Sequence, residues 1–260
     1  MKKLWMMSIM LLFMLQPFVS ASIISLWKGE NTLTDSVGTN HGTAVNGVTY
    51  TTGIVGNAIS LNGTNYIKVG PSASLKPTNF TIVAWVNPAS LSANTWNTVF
   101  ACGAYGTDPI LGASWDTYYL GFYDGRPRLH TCHSFGDYNI TGSTTTVSLN
   151  TWHMLAATFD GASTRLYFDG ALVATGTPNA PLYYDPTAIP TIIGEDWNSN
   201  APAGIKFNGK LDEMALYNNA LATVEIQYMY NIVVSDAPEP QTFILLLLCI
   251  TSLFLKKKIM

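Results

Sequence analysis

The sequence predicts an all-β fold in which two antiparallel sheets pack face to face as a jelly-roll sandwich. Three observations support this prediction. Ten or more short segments show strand-like alternation or are continuously apolar. Asx-Gly pairs, which favour tight turns, separate several of these segments. Before the C-terminal tail, a helical pattern occurs only at residues 224–232. Many short strands joined by such turns are typical of sandwiches and jelly rolls.

The individual strands follow from local pattern. Residues 81–87 alternate, which places Ile82, Ala84 and Val86 on one face of a strand. Asp124-Gly125 predicts a type I′ hairpin between the flanking segments 118–123 and 127–132. Further strands are predicted at residues 154–159, 165–168, 172–175, 192–193 and 210–217, with turns at 160–161 and 169–170.

The N-terminal residues 1–21 have the layout of a signal peptide. Lys2 and Lys3 precede an apolar stretch at residues 4–15, and Val19-Ser20-Ala21 supplies small residues for signal peptidase. We expect cleavage after Ala21 and export of the chain. The alternative is a retained N-terminal anchor, against which Pro17 argues because it would interrupt the helix.

The C-terminal residues 237–260 contain a second targeting pattern. The tetrapeptide APEP at 237–240 is followed by an apolar run at 243–255 and by three lysines at 256–258. This order predicts a transmembrane helix with its lysines on the cytoplasmic side. The alternative is a buried C-terminal helix, because the run is shorter than a usual span. The pattern resembles the PEP-CTERM sorting signal of bacteria, which implies cleavage by an exosortase and delivery to the cell surface or extracellular matrix.

Residues 22–236 then form a single domain with enough length for a sizeable core. This segment holds eight basic and fifteen acidic residues, a formal net charge of −7. Such a balance disfavours nucleic acid and anionic lipid as partners. Few charges, together with many Thr, Asn, Gly, Trp and Tyr residues, favour neutral polar ligands.

Five ordered segments of the domain indicate its family. The segments are SLWKGE (25–30) with Asp35 and NHG (40–42), GIVGNAISLNG (53–63), NFTIVAWV (79–86), NTWHMLAATFDG (150–161) and FNGKLDE (207–213). With these segments the sequence resembles the laminin-G-like domain of the concanavalin A-like lectin/glucanase group, which implies a two-sheet jelly roll. In one departure from the family pattern, Ala222 replaces the usual N-capping Ser of the last helix, unless Thr223 caps instead.

The sequence does not predict an enzyme. Related glucanases carry two or three carboxylates along one strand, and the spacing Glu-x-Asp-x-x-Glu does not occur here. Glu195-Asp196 and Asp212-Glu213 are adjacent pairs whose side chains would point to opposite faces of a strand. His153 belongs to the Trp-His motif of the family and is interpreted as structural. A catalytic site assembled from distant loops is the alternative.

The resemblance implies a structural Ca²⁺ site where the first strand leaves the sheet. Glu30, Asp35 and Asp212 match the acidic positions of the family there, and calcium prefers such oxygen ligands. The alternative is that Asp35 forms an Asx turn and Asp212 binds backbone amides or a lysine. Cys102 and Cys132 are the cysteines of the domain, and the sequence leaves open whether they form a disulfide or remain buried thiols.

Aromatic residues in polar surroundings predict a carbohydrate-binding site. Sugar rings stack on aromatic faces, while Asn, Asp and Arg bind hydroxyls. We therefore expect an exported, non-catalytic domain that binds a glycan or exopolysaccharide through aromatic loops on one rim or face. The alternatives are a structural matrix protein that binds other proteins and a polysaccharide-cleaving enzyme. The candidate binding residues are Trp96, Trp115, Asp116, Tyr119, Arg128, Tyr184, Trp197 and Asn198.

Overall fold

The computed structural model describes residues 22–103, 117–134, 137–178, 180–184, 190–195 and 206–235. Over these residues the regular secondary structure is mainly β-strand, with a short 3-10 helix at Ala73–Leu75 and one α-helix near the end of the domain. The strands are β1 (Ile23–Trp27), β2 (Gly42–Val45), β3 (Thr49–Thr52), β4 (Asn57–Asn62), β5 (Tyr66–Val69), β6 (Phe80–Ser90), β7 (Trp96–Cys102), β8 (Tyr118–Tyr123), β9 (Arg126–Ser134), β10 (Asp137–Gly142), β11 (His153–Phe159), β12 (Thr164–Phe168), β13 (Ala171–Gly176), β14 (Thr191–Ile193) and β15 (Asn208–Tyr217).

Two antiparallel sheets contain all of these strands. The eight-stranded sheet has the order β13-β12-β11-β6-β15-β4-β3, and β1 also pairs with β15. β4 pairs with the first half of β15 and β1 with the second half, so both lie along the same edge of that strand. The seven-stranded sheet has the order β10-β9-β8-β7-β14-β5-β2. The predicted two-sheet antiparallel sandwich is therefore confirmed.

The main hydrophobic core lies between the two sheets. Ile82, Ala84 and Val86 on β6 belong to it, as the alternation of residues 81–87 predicted. Opposite them, the seven-stranded sheet contributes Phe100, Leu120 and other residues of β7 and β8. The predicted type I′ turn is also present, because Asp124 and Gly125 both have positive φ, 51° and 69°.

A second hydrophobic cluster lies on the outer face of the eight-stranded sheet. Helix α1 (Thr223–Ser235) packs there, and the ring of Tyr230 stacks on Trp85 with centroids 5.8 Å apart. The helix is longer than the predicted residues 224–232. Among the described residues, no helix has the length and apolar character needed to cross a membrane. The termini for which targeting segments were predicted lie outside those residues.

At the start of α1, the usual Ser cap is absent and a glutamate stabilises the first turn instead. The backbone N–H of Ala222 donates to the Glu225 carboxylate at 2.7 Å, which is one of the two bonds of a capping box. Thr223 does not provide the other bond. Its hydroxyl instead bonds to the Tyr167 hydroxyl at 3.1 Å and links the helix to the sheet.

Candidate functional site

The outer face of the seven-stranded sheet is defined by strand alternation. On β8, Tyr118, Leu120 and Phe122 point into the core, so Tyr119 and Tyr123 face away from it. The register carries this division to the neighbouring strands. Tyr123 is opposite Trp96 on β7, and Tyr119 is opposite His130 on β9.

Aromatic rings form a continuous row on this face. We call Trp96, Tyr119, Tyr123, His130 and Tyr138 the aromatic strip. The Trp96 ring lies 4.4 Å from Tyr119 and 5.4 Å from Tyr123, centroid to centroid, in edge-to-face geometry. Tyr119 is 6.3 Å from His130, which is 5.3 Å from Tyr138. These distances are in the range of favourable aromatic pairs, so the rings hold one another in place.

The accessibility of the strip changes along its length. Tyr119 and His130 are 3% and 7% exposed, whereas Tyr138 is 49% exposed. Trp96 and Tyr123 are half-buried. The strip therefore has a buried centre and accessible ends, and the accessible rings are the ones available for stacking with a ligand.

His130 contributes to the strip as a neutral ring. Burial, together with the nearby His133, lowers the pKa of His130 to about 4. The imidazole is thus uncharged at physiological pH. His133 points to the opposite face, where its ring lies 5.7 Å from core residue Phe159, so the two histidines do not form a metal pair.

Two arginines border the aromatic strip on β9. Arg128 faces outward between Gly121 and Gly142 on the adjacent strands. A Cβ atom at Gly142 would come within 2.7 Å of the Arg128 guanidinium, so the glycine lets that group lie across β10. The Arg128 Nη1 donates to the carbonyls of Pro127 and Ser143. Arg126 forms an ion pair with Asp124 at 3.4 Å.

The structure brings three of the predicted binding residues together. Trp96, Tyr119 and Arg128 share this outer face. Trp96 and Tyr119 lie on strands β7 and β8 and not on loops as predicted, whereas Arg128 lies on β9, within the predicted strand 127–132. Residues on neighbouring strands can share this face because the pleat of each strand points every second side chain to the same side of the sheet. Trp115, Asp116, Trp197 and Asn198 lie outside the described residues.

Tyr184 does not lie in the strip. It was predicted to share a face with the other binding residues, and this placement is wrong. Its hydroxyl donates to the Pro77 carbonyl at 2.6 Å. Its ring packs edge-on against core residue Tyr118, with centroids 6.4 Å apart. Tyr184 therefore closes the margin of the core on the side opposite the aromatic strip.

Sequence reasoning missed Tyr123, His130 and Tyr138 as members of the strip. Tyr123 was detectable, because it shares the outward alternation of Tyr119 on the predicted strand 118–123. Tyr138 required the pairing of β10 with β9, which places it opposite Cys132. A pairing register of this kind is not encoded in the residues of one strand.

Cys102 and Cys132 are buried and are not joined by a disulfide. They lie on β7 and β9, and β8 runs between them. Two inter-strand spacings amount to roughly 9.5 Å, whereas a disulfide needs Cα atoms less than ~7 Å apart. Of the two alternatives that the sequence left open, the structure has the unbridged one.

Asp35 is occupied by backbone amides. Its Oδ1 accepts from the N–H groups of Leu26, Val37 and Gly38, and its Oδ2 accepts from Asn40. Burial raises the pKa of Asp35, but these amides and the Ser25 hydroxyl outweigh it and hold the pKa below its ordinary value. The carboxylate therefore stabilises an Asx turn, which was the alternative to its role as a calcium ligand.

Glu30, Asp212 and Glu213 lie near one another at the turn formed by residues 53–57. Asp212 accepts from the N–H groups of Ile54 and Val55, and Glu30 accepts from Asn57. Burial raises the pKa of both Asp212 and Glu213, while three backbone amides oppose the rise at Asp212. Both carboxyl groups therefore retain a proton more readily than exposed ones, and the buried Oε2 of Glu213 has no hydrogen-bond partner among the described residues.

The described residues contain no ready-made group of three His, Cys, Asp or Glu side chains that could hold a metal ion. Asp35 does not belong to the cluster at the 53–57 turn, so the three predicted calcium ligands are not gathered in one site. Glu213, which sequence reasoning did not include, supplies the unpartnered oxygen there.

Ser148, His153 and Asp169 form a hydrogen-bonded relay. His153 Nδ1 lies 2.8 Å from Asp169, and Nε2 lies 2.7 Å from the Ser148 hydroxyl. Asp169 also accepts from the Met154 amide. A cavity of about 230 Å³ adjoins Asp169 and α1, but neither Ser148 nor His153 lines it. The relay ties the segment before β11 to the β12–β13 turn, in line with a structural role for His153.

The sequence profile of one family matches the chain. This family, Laminin_G_3, is described as the concanavalin A-like lectin/glucanases superfamily, and the match covers residues 61–227, more than half of the chain. No curated protein matches the chain significantly.

Solved structures share the fold at low sequence identity. Domain 4 of AbnA, a GH43 extracellular arabinanase from Geobacillus stearothermophilus solved in complex with arabinotriose, has 22% identity and a TM-score of 0.64, and the match covers 80% of this chain and 98% of that one. The binding domain of Paraclostridial Mosquitocidal Protein 1 has 18% identity and a TM-score of 0.63, over 80% and 51%. The binding domain of botulinum neurotoxin DC, in complex with SialylT, has 12% identity and a TM-score of 0.60, over 82% and 51%. The chain thus spans about half of each toxin domain.

Proposed function

Because the chain belongs to the concanavalin A-like lectin/glucanases superfamily, we propose that it binds carbohydrate through the aromatic strip of the seven-stranded sheet. The observation that carries this proposal is the continuous row of rings that face away from the core. Two of the structural neighbours are described in complex with arabinotriose or SialylT, which supports a glycan as ligand.

The strip has the physical properties that sugar recognition needs. Tyr138 and the half-buried Trp96 present apolar ring faces, on which the C–H faces of a sugar can stack. Arg128 and the neutral His130 supply hydrogen-bond donors and an acceptor for hydroxyls beside those rings. Each ring contributes on the order of 1 kcal/mol. Affinity for a short oligosaccharide is therefore expected in the micromolar to millimolar range.

The proposal is for a binding domain without catalysis. The adjacent carboxylates Asp212 and Glu213 are 0% and 2% exposed. Asp212 is bound by backbone amides, so this pair has no access to a polysaccharide chain. Glycan binding without release of reducing sugar is the expected behaviour.

A panel of immobilised polysaccharides, including arabinan, tests the proposal. The full chain should bind at least one polysaccharide without releasing reducing sugar, and Trp96→Ala should weaken that binding about fivefold to tenfold while the protein stays folded. Binding that is unaffected by Trp96→Ala, or no binding to any polysaccharide, would refute the strip as a glycan site. Release of reducing sugar would show an enzyme instead.

Export and sorting to a bacterial surface or matrix form part of the same proposal. They are supported by the charge and apolar layout of residues 1–21 and 237–260. Intact-mass measurement on protein from the native host should give an N-terminus at Ser22 and loss of the segment after the PEP motif. A mass that still includes Lys256 to Lys258 would contradict exosortase processing.

A further inference from the structure

Several basic residues lie on the outer face of the seven-stranded sheet, although the net charge of the domain is negative. Arg126 and Arg128 face outward on β9, and Lys68 faces outward on β5 between core residues Ile67 and Val69. Lys206 extends over the ring of Tyr66 on the same face, 5.5 Å from its centroid. Four of the eight basic residues in segment 22–236 therefore lie on one face of an acidic domain.

Two of these cations already have carboxylate partners. Arg126 pairs with Asp124 at 3.4 Å, and Lys206 pairs with Glu195 at 3.1 Å. Arg128 differs, because no carboxylate among the described residues lies within ion-pair distance of it. Its only acceptors among those residues are the carbonyls of Pro127 and Ser143, and both bonds come from Nη1.

The remaining donors of Arg128 form a fork without an acceptor among the described residues. A guanidinium has five N–H donors in one plane, and both bonds seen in this part of the chain come from Nη1, so the Nε and Nη2 groups can bind a ligand. The two carbonyl bonds and the glycine at position 142 hold this plane across β10, beside the aromatic strip. A planar fork fixed in one orientation matches the two oxygens of a carboxylate.

From this arrangement we infer that the ligand of the strip is an acidic polysaccharide, one whose sugar rings carry carboxylates. The rings stack on Trp96 and Tyr138, while Arg128 binds a uronic-acid carboxylate through its free fork. The inference rests on the proposed function, and it differs from the expectation of neutral polar ligands that the few charges and the many Thr, Asn, Gly, Trp and Tyr residues suggested. The overall negative charge of the domain should oppose indiscriminate binding of polyanions.

A pair of probes that differ only in charge tests the inference. Binding to an oligomer of galacturonic acid is compared, by titration calorimetry, with binding to the same oligomer after its carboxylates are reduced to alcohols. At about 0.01 M salt, where the screening length is ~30 Å, the acidic oligomer should bind about tenfold more tightly than the neutral one. The difference should shrink at about 1 M salt, where that length is ~3 Å.

Variants assign the difference to Arg128. Arg128→Gln should reduce binding of the acidic oligomer about tenfold and binding of the neutral oligomer by a clearly smaller factor, because glutamine keeps N–H donors for hydroxyls but loses the positive charge. Arg128→Lys, which keeps the charge but loses the fork, should retain part of the preference. Arg165→Gln is the matched control, because Arg165 lies on the outer face of the other sheet. Thermal melting of each variant checks that it is folded.

Each outcome decides between the two proposals. Equal affinity for both oligomers, with no effect of Arg128→Gln, would overturn the acidic ligand and leave the aromatic strip as a neutral sugar site. Binding of neutral polysaccharides alone would do the same. Equal binding to anionic lipid vesicles would replace a specific carboxylate site by general attraction of polyanions. If no carbohydrate binds at all, the proposed function itself fails.

Discussion

The two outer faces of the sandwich carry similar aromatic residues, yet within the described part of the chain a helix covers only one of them. On the eight-stranded sheet, Trp85 is buried beneath α1 and stacks with Tyr230. On the seven-stranded sheet, Trp96 packs against Tyr119 with no described helix above it, and the strip ends at the exposed Tyr138. The same residue types therefore complete a core on one side and form an accessible surface on the other.

This difference explains where a ligand can act. Burial of Trp85 contributes to folding because the chain itself supplies the covering surface. The accessible rings of the strip retain apolar area that folding has not used, and exposed apolar surface of this kind often marks a binding site. Variants that separate folding from binding should therefore separate the two faces.

The largest expected effect is on folding, at the covered face. Trp85→Ala should lower the free energy of unfolding by about 3–5 kcal/mol, because it empties a core site. Trp96→Ala should cost roughly 2 kcal/mol or less, since its ring is half-buried. Urea denaturation measures both. Equal losses would mean that Trp96 is a core residue, which would contradict the difference between the two outer faces.

Trp85→Phe is the control for the covered face. The Nε1–H of Trp85 is buried without a hydrogen-bond partner. Phenylalanine keeps most of the apolar contact and removes this unsatisfied donor, so the loss should be much smaller than for alanine. A loss as large as that of Trp85→Ala would contradict this account of the site.

The second-largest expected effect is a pH dependence of the folding stability. It arises at the end of the covered face, near the 53–57 turn. Burial raises the pKa of Glu213 to about 7, from an ordinary value of 4.5, while Lys28 opposes the rise. The folded state then binds more protons than the unfolded state between pH 4.5 and about 7, so stability falls as the pH rises through this window. Glu213→Gln should remove this part of the pH dependence, up to about 3 kcal/mol.

The measurement is the difference in unfolding free energy between Glu213→Gln and the unaltered protein at several pH values. This difference excludes His130, whose lowered pKa acts in the opposite direction, because a histidine that stays neutral when folded costs stability as the pH falls. A difference that does not vary with pH would show that Glu213 is ionised in the folded state.

Calcium binding at the same place stays a prediction, because the described residues contain no ready-made group of three metal-binding side chains, and its effect would be of similar or smaller size. If Glu30, Asp212 and Glu213 share an ion, a hundredfold excess over the dissociation constant would add ~2.7 kcal/mol. Melting in millimolar calcium should then exceed melting in chelator, and Glu213→Gln should remove the gain. Asp35→Asn should destabilise the protein but keep the calcium response, because amides occupy Asp35. Equal melting temperatures with and without calcium would exclude the ion.

The sequence predicts the fold well because strand alternation and Asp-Gly turns are local. The core face of β6 and the turn at Asp124-Gly125 are examples. The binding face was only partly predictable, because Trp96, His130 and Tyr138 come together through the register of four strands. Tyr184 shows the opposite failure. It lies in a polar, proline-rich segment, but its ring and hydroxyl are used by the core.

The most direct test of the binding face compares two tyrosines with similar exposure. Tyr138 on the strip is 49% exposed, and Tyr228 on α1 is 45% exposed. Tyr138→Ala should weaken binding to the polysaccharide identified in the panel about fivefold to tenfold, without a change in melting temperature. Tyr228→Ala should leave binding unchanged. If both variants bind like the unaltered protein, or if Tyr228→Ala weakens binding as much, the outer face of the seven-stranded sheet is not the carbohydrate-binding surface.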